Sequence, residues 1–101
     1  MSTIDRRTLL DDTQRSVAAG ELVQWNLGSD RLSRAFEFAN FVRAFGFMSQ
    51  VALIAERLDH HPEWSNVYKT VVVDLTTHDA PGITELDLKL AREMSLRATR
   101  V

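Results

Sequence analysis

The segment that decides the fold spans residues 40–58 and reads NFVRAFGFMSQVALIAERL. Its apolar side chains recur at steps of three and four and form a stripe of Phe41, Phe45, Met48, Val51, Ala52, Ile54, Ala55 and Leu58. Such spacing puts them on one face of an α-helix. Asn40 can cap its start, and Pro62 limits its end because the residue before a proline is pushed out of the α conformation. The segment therefore predicts a long helix, with the cluster of Phe41, Phe45, Phe47 and Met48 in the core.

The sequence upstream of this helix predicts one more helix and a β-hairpin. Residues 5–19 have loosely helical apolar spacing, and Gly20 stands where a helix would end. Residues 21–27 and 31–38 are short, partly alternating and separated by Gly28, Ser29 and Asp30, which is typical of a hairpin.

The downstream sequence predicts a strand and a last helix. Residues 67–77 are rich in β-branched side chains and alternate between an apolar and a partly polar face. Thr84 and Asp87 resemble a capping box, and the helix that follows would bury Leu86, Leu90, Ala91 and Met94. The order α-β-β-α-β-α predicts a single α+β domain over residues 1–101, with two layers, in which helices pack on one face of an antiparallel sheet.

Composition narrows the classes of function. The chain has 101 residues, no cysteine, and 12 basic against 14 acidic residues. No basic block could follow a phosphate backbone, which argues against direct binding of nucleic acid. No apolar run is long enough for a membrane span or a signal peptide, so we expect a cytoplasmic protein. A sheet edge and a Phe-rich helix favour a homodimer or homotetramer.

All three histidines flank one strand of the predicted sheet. His60 and His61 precede Pro62, and His78 follows Thr77. Histidine exchanges protons near neutral pH, its ordinary pKa being about 6.5, so this grouping indicates a proton-transfer site. Glu56 lies one helical turn before His60 and could orient that imidazole. We expect all three imidazoles to line one concave pocket of a single chain.

These residues resemble the pattern of the pterin-4a-carbinolamine dehydratase family. The pattern is carried by Glu56, His60, His61, Pro62, Trp64, Tyr68, Thr77 and His78, and the likeness extends through residues 36–38, 44–48 and 82–91. It implies dehydration of a 4a-hydroxytetrahydropterin to a quinonoid dihydropterin, without metal or other cofactor, in recycling of a tetrahydropterin. The resemblance further implies that His60 and His78 transfer protons and that His61 lies closer to substrate binding. The expected substrate-binding residues are Glu56, Pro62, Trp64, Thr76 and Thr77, although Trp64 could instead lie in the core or at an interface.

Two other classes of function stay open at this point. Some animal relatives also act as dimerisation cofactors of a transcription factor, so a protein-interaction module without catalysis is one alternative. The other is an open metal site with three histidine ligands. Adjacent histidines such as His60 and His61 point in different directions and rarely ligate one ion, which makes the metal site the weaker alternative.

Overall fold

In residues 6–101, which the computed structural model describes, three helices pack on one face of a four-stranded sheet. The elements are α1 (Asp12–Glu21), β1 (Asn26–Leu27), β2 (Leu32–Glu37), α2 (Phe41–Leu58), β3 (Glu63–Val67), β4 (Thr70–Leu75) and α3 (Glu85–Ala98). The strands lie in the order β1-β2-β4-β3, and all neighbouring pairs are antiparallel. The predicted two-layer α+β fold is confirmed, with one strand more than expected.

The core lies between one face of the sheet and the helices. Val71, Val73 and Leu75 of β4 are buried on this face, whereas Val72 is exposed on the other, as the predicted alternation requires. The helix α3 presents Leu86, Leu90, Ala91 and Met94 to the core, and all four are fully buried. The predicted buried stripe of the last helix is therefore confirmed.

The additional strand is β3, in a segment that we expected to be a loop. It pairs with β4 from Glu63↔Asp74 to Val67↔Thr70, which leaves only Tyr68 and Lys69 in the turn. Two-residue hairpins need positive φ angles, and Tyr68 has a φ of 52°. Tyrosine rarely adopts this conformation. Glycine or asparagine usually marks such a turn, and neither occurs at these two positions.

The upstream boundaries also differ from the prediction. Helix α1 begins after Asp11, whose side chain accepts a hydrogen bond from the backbone of Gln14 in a capping box. The helix continues through Gly20, which therefore does not end it. Strand β1 is reduced to two residues because α1 continues to Glu21 and the chain then turns, with the Trp25 N–H donating to Leu22 O at 2.9 Å. The predicted helix start at residue 5 lies outside the described residues.

Helix α2 has the predicted position but a rotated buried face. Asn40 caps it by accepting a hydrogen bond from Arg43 N at 2.9 Å. The buried side chains are Ala44, Phe47, Val51, Ile54 and Ala55. Phe41 and Phe45 are 47% and 57% exposed, so their placement in the core was wrong. The helix is apolar around most of its circumference, and periodicity alone does not distinguish one overlapping stripe from the other.

The β3–β4 turn offers a test of what holds the additional strand. Asn66 Nδ2 donates hydrogen bonds to the carbonyl oxygens of Tyr68 and Thr70, each at 3.0 Å. We expect Asn66→Ala to lower the free energy of unfolding by about 1–2 kcal/mol, because both bonds are lost. Urea unfolding measures this change. Ser65→Ala, an exposed substitution on the same strand, is the control and should stay within about 0.5 kcal/mol of the wild type. Equal effects of the two substitutions would contradict this role of Asn66.

Candidate active site

A cleft of about 270 Å³ lies where α2 and β4 end. It is lined by Arg6, Asp59, His60, His61, Thr76, Thr77, His78 and Asp79. The three imidazoles therefore line one concave site of a single chain, and this geometric prediction is confirmed.

The end of α2 sends two consecutive histidines in different directions. Asp59 adopts the left-handed conformation, with φ of 52°, and the backbone N–H of His60 donates to Ala55 O at 3.0 Å. This is a common way for a helix to satisfy its last carbonyls and to turn the chain. His60 consequently turns inward and is only 7% exposed, whereas His61 stays exposed.

The third histidine is held by the turn that follows β4. Thr77 forms an isolated antiparallel bridge with Gly82, and its N–H donates to Gly82 O at 2.7 Å. The Ala80 N–H also donates to Thr77 O, at 3.2 Å. These bonds close a tight turn over residues 77–82, from which the His78 side chain protrudes with 79% of its surface exposed.

His60 makes a buried hydrogen bond with Asp87. Its Nε2 lies 2.6 Å from Asp87 Oδ1, and Asp87 is completely buried. The other carboxylate oxygen, Oδ2, accepts from Thr77 Oγ1 at 2.7 Å and from the backbone N–H of Thr84 at 2.9 Å. An ionised carboxylate only accepts, so when Asp87 is ionised the hydrogen of this bond resides on His60 Nε2.

The other two histidines contact carboxylates in exposed pairs. His61 Nε2 lies 2.9 Å from Glu56 Oε1, and His78 Nε2 lies 3.1 Å from Glu63 Oε2. Glu56 was expected to orient His60, and this expectation was wrong because the left-handed turn at Asp59 brings His61 over the last helical turn instead. Each imidazole of the cleft is therefore oriented through Nε2, with one pair buried and two in water.

The expected substrate-binding residues divide into two groups. Thr76 and Thr77 line the cleft. Glu56 reaches it only through His61, and Pro62 is not among the lining residues. Trp64 pairs with Val73 across the strands and packs against the core. This agrees with the alternative prediction that Trp64 lies in the core. A side chain on the core face of the sheet does not reach the cleft.

Several residues of the site were not found from the sequence. The sequence assigned Asp87 a role only in a capping box. The structure confirms the capping box and shows that the same carboxylate also binds His60. The Arg6 guanidinium donates to the carbonyl oxygens of Leu58 at 3.3 Å and Asp59 at 2.9 Å, so it closes one side of the cleft. No local pattern marks Arg6, because its contacts lie more than fifty positions away along the chain.

Two further observations concern the described residues only. Within residues 6–101, no three side chains of histidine, aspartate or glutamate are grouped so that they could hold a metal ion. In the same part of the chain, no helix combines the length and the apolar character needed to cross a membrane.

The Asp87 network yields a prediction about stability. Asp87→Ala would remove the partner of His60 Nε2 and of the Thr84 N–H, and would leave the Thr77 hydroxyl with only the Thr84 hydroxyl. Removing one partner of a buried pair typically costs about 3–5 kcal/mol, and we expect a loss of this size in urea unfolding. Asp79→Ala, which removes an exposed carboxylate from the same cleft, should change stability by less than about 0.5 kcal/mol. A loss below about 1 kcal/mol for Asp87→Ala would show that the network does not support the fold.

The sequence of this chain matches a known protein family. Residues 8–96 match the family model described as pterin 4 alpha carbinolamine dehydratase. A protein of Prochlorococcus marinus (strain MIT 9313) is 55% identical over 89 residues, which cover 88% of this chain and 93% of the relative. A protein of Chelativorans sp. (strain BNC1) is 52% identical over 96 residues, covering 93% of this chain and 98% of the relative. Both are named "Putative pterin-4-alpha-carbinolamine dehydratase".

The fold agrees with that of a solved structure. A crystal structure from Brucella melitensis, described as a transcriptional coactivator/pterin dehydratase, superposes with a TM-score of 0.86 and 46% sequence identity. The match covers 90% of this chain and 99% of that one. On the family model, the relatives and the shared fold, the chain belongs to the pterin-4a-carbinolamine dehydratase family.

Proposed function

We propose that this protein is a hydro-lyase that dehydrates a 4a-hydroxytetrahydropterin to the quinonoid dihydropterin. The observation that carries the proposal is the meeting of three imidazoles, one of them in a buried pair with a carboxylate, in one cleft of a chain that belongs to this family. In recycling of a tetrahydropterin, such a step removes the carbinolamine that an oxygen-using hydroxylation leaves behind.

The reaction requires two proton transfers. Carbon 4a of the substrate carries a hydroxyl group and is bonded to N5. The bond from C4a to oxygen breaks as an acid protonates the departing hydroxyl, which leaves as water. The nitrogen lone pair forms the C4a=N5 double bond, and a base removes the proton from N5. Positioned acids and bases contribute about 10² to 10⁴-fold to such a rate.

We assign the two proton transfers to His60 and His78, and substrate binding to His61. Support for His60 comes from its orientation, because the buried carboxylate of Asp87 holds its Nε2 while the ring lines the cleft. His78 follows β4, whereas His60 follows α2, and the His78 side chain contacts Glu63. Two histidines that come from different elements can address two atoms of one ligand, as an acid and a base must.

The two threonines between these histidines are the proposed binding residues. Thr76 and Thr77 line the cleft, and a hydroxyl group can both donate to and accept from the alternating acceptors and donors of a pterin ring. Thr77 also donates to Asp87, so its hydroxyl is fixed in place. We propose Thr76 and Thr77 as substrate contacts, and Glu56 as a residue that acts through His61.

A second candidate function is supported by one neighbour in structure. The Brucella melitensis protein is described as a transcriptional coactivator as well as a pterin dehydratase. A role as a protein-interaction module is therefore kept as the alternative. The cytoplasmic location remains a prediction from the sequence.

Activity measurements on histidine variants test the proposal. His60→Ala and His78→Ala should each lower kcat by more than about tenfold, because each removes one proton-transfer group. His61→Ala should mainly raise KM. The control is Arg57→Ala, which changes an exposed residue in the last turn of α2 that does not line the cleft. The assay follows dehydration of a 4a-hydroxytetrahydropterin without added metal, and excess chelator should leave the rate unchanged.

Wild-type rates in all three histidine variants would contradict the assigned roles. Loss of activity on chelation would instead favour a metal site. Absence of any dehydration by the wild-type protein would favour the interaction module.

We also propose that the protein is a homodimer or homotetramer. Phe41, Val42, Phe45 and Leu53 are exposed on the outer face of α2. The rings of Phe41 and Phe45 are 5.9 Å apart, so the two form one contiguous apolar patch. Strand β3 lies at an edge of the sheet, and within residues 6–101 no other strand pairs with its outer side. Both surfaces are of the kind that association covers.

Sedimentation tests this assembly. The wild-type protein should sediment at two or four times 11.5 kDa at micromolar concentration, and the variant with both Phe41→Ser and Phe45→Ser should shift toward smaller species. Val23→Ser, which replaces a more exposed apolar side chain outside α2, serves as the control. A wild-type protein found only as the single chain would overturn the proposal.

A further inference from the structure

A second cleft adjoins the first across His78. Its volume is about 260 Å³, and it is lined by Asp30, Arg31, Glu63, Thr76, Thr77, His78 and Pro81. Thr76, Thr77 and His78 line both clefts. A ligand that is too long for the first cleft can therefore continue into the second without leaving the protein surface.

The wall of the second cleft combines one guanidinium with two carboxylates. Arg31 Nε lies 3.7 Å from Asp30 Oδ1, and its NH1 lies 3.6 Å from Glu63 Oε1. The formal charges of Arg31, Asp30 and Glu63 sum to −1, and the other carboxylate oxygen of Glu63 lies 3.1 Å from His78 Nε2. The Thr76 hydroxyl donates to the backbone oxygen of Asp30 at 2.7 Å, which fixes the loop before β2 against the end of β4.

These groups match a particular kind of ligand. Carboxylates only accept hydrogen bonds and a guanidinium only donates them, whereas a hydroxyl group does both. A ligand with neighbouring hydroxyls can therefore bond to Arg31 and to one of its two acids at once. An anionic ligand meets the excess negative charge, and the guanidinium that could attract it is already paired with Asp30 and Glu63.

The chemistry of the proposed substrate places its side chain beside the shared histidine. The first cleft contains all three imidazoles and the second only His78, so the reacting ring belongs in the first. Carbon 6 of the ring is bonded to N5, and N5 to C4a. A substituent on C6 therefore leaves the ring at the same edge as the reacting atoms, which is the edge that His78 would address.

We propose that the second cleft is a subsite for the C6 substituent of the pterin, and that it selects a neutral hydroxylated chain over an anionic one. This inference rests on the proposed function. Arg31 supplies the donors of the subsite, and Asp30 contributes to its negative charge. Arg31 and Asp30 do not line the first cleft, so they act on the substituent and not on the reacting ring.

Equilibrium binding of three stable, oxidised pterins tests the subsite. They share one ring and carry a dihydroxypropyl, a methyl or a carboxylate group on C6, and their fluorescence reports the Kd. The wild-type protein should bind the dihydroxypropyl compound at least about fivefold more tightly than the methyl compound, as one additional hydrogen bond implies. The carboxylate compound should bind at least about threefold more weakly than the methyl compound, because like charges repel.

Two substitutions with matched controls identify the residues responsible. Arg31→Ala should abolish the advantage of the dihydroxypropyl compound, and Asp30→Asn should bring the carboxylate compound to within about twofold of the methyl compound. Arg43→Ala and Glu37→Gln make the same changes of charge at exposed positions that line neither cleft. Both controls should keep the wild-type order of affinities.

The possible results separate the subsite from the proposed function. Equal Kd values for the three compounds, or differences that both Arg31→Ala and Asp30→Asn leave unchanged, would overturn the subsite while the dehydration assay still supported the activity. Failure of all three compounds to bind would overturn the subsite and the proposed function together. The expected order of affinities, lost in the two variants and kept in the controls, would support the subsite.

Discussion

The carboxylate of Asp87 is the constraint on which the arrangement depends. It is hydrogen-bonded to His60 after α2, to the Thr77 hydroxyl after β4 and to the backbone N–H of Thr84 at the start of α3. Three elements of the chain therefore meet at one buried group. A charge that is removed from water is tolerable only when such partners surround it, and here the partners are also parts of the cleft. The same hydrogen bonds thus close the fold and set the orientation of His60.

The sequence predicted those features that depend on neighbouring residues. The helix over residues 41–58, the cap at Asn40 and the capping box of Thr84 and Asp87 all follow from contacts within one or two turns. The grouping of the histidines in one cleft was also predictable, because the loop expected over residues 62–67 is long enough to bring the chain back before the strand that leads to His78. By contrast, the pairing of His60 with Asp87 joins residues 27 positions apart. Only the packing of α3 against the end of α2 decides that contact.

Other features escaped prediction for identifiable physical reasons. Strand β3 carries no turn signature, since its hairpin uses Tyr68 in a conformation that favours glycine or asparagine. Phe41 and Phe45 satisfy the periodicity of a buried face, but α2 has a second apolar face, and the one with Ala44 and Phe47 allows closer contact with the sheet. Phe41 and Phe45 are exposed because the other apolar face of α2 packs on the sheet, and local sequence patterns do not distinguish two faces of similar hydrophobicity.

The left-handed residue at the end of α2 limits how this chain can change over evolutionary time. The left-handed turn at Asp59 directs His60 into the interior and leaves His61 exposed to water. Each residue added to a helix rotates everything after it by about 100°. A single insertion or deletion within α2 would therefore exchange the environments of the two imidazoles, or withdraw both from the cleft. Length variation among homologous chains should accordingly be confined to surface turns outside α2, while the distance along the sequence from Asn40 to Asp59 stays constant.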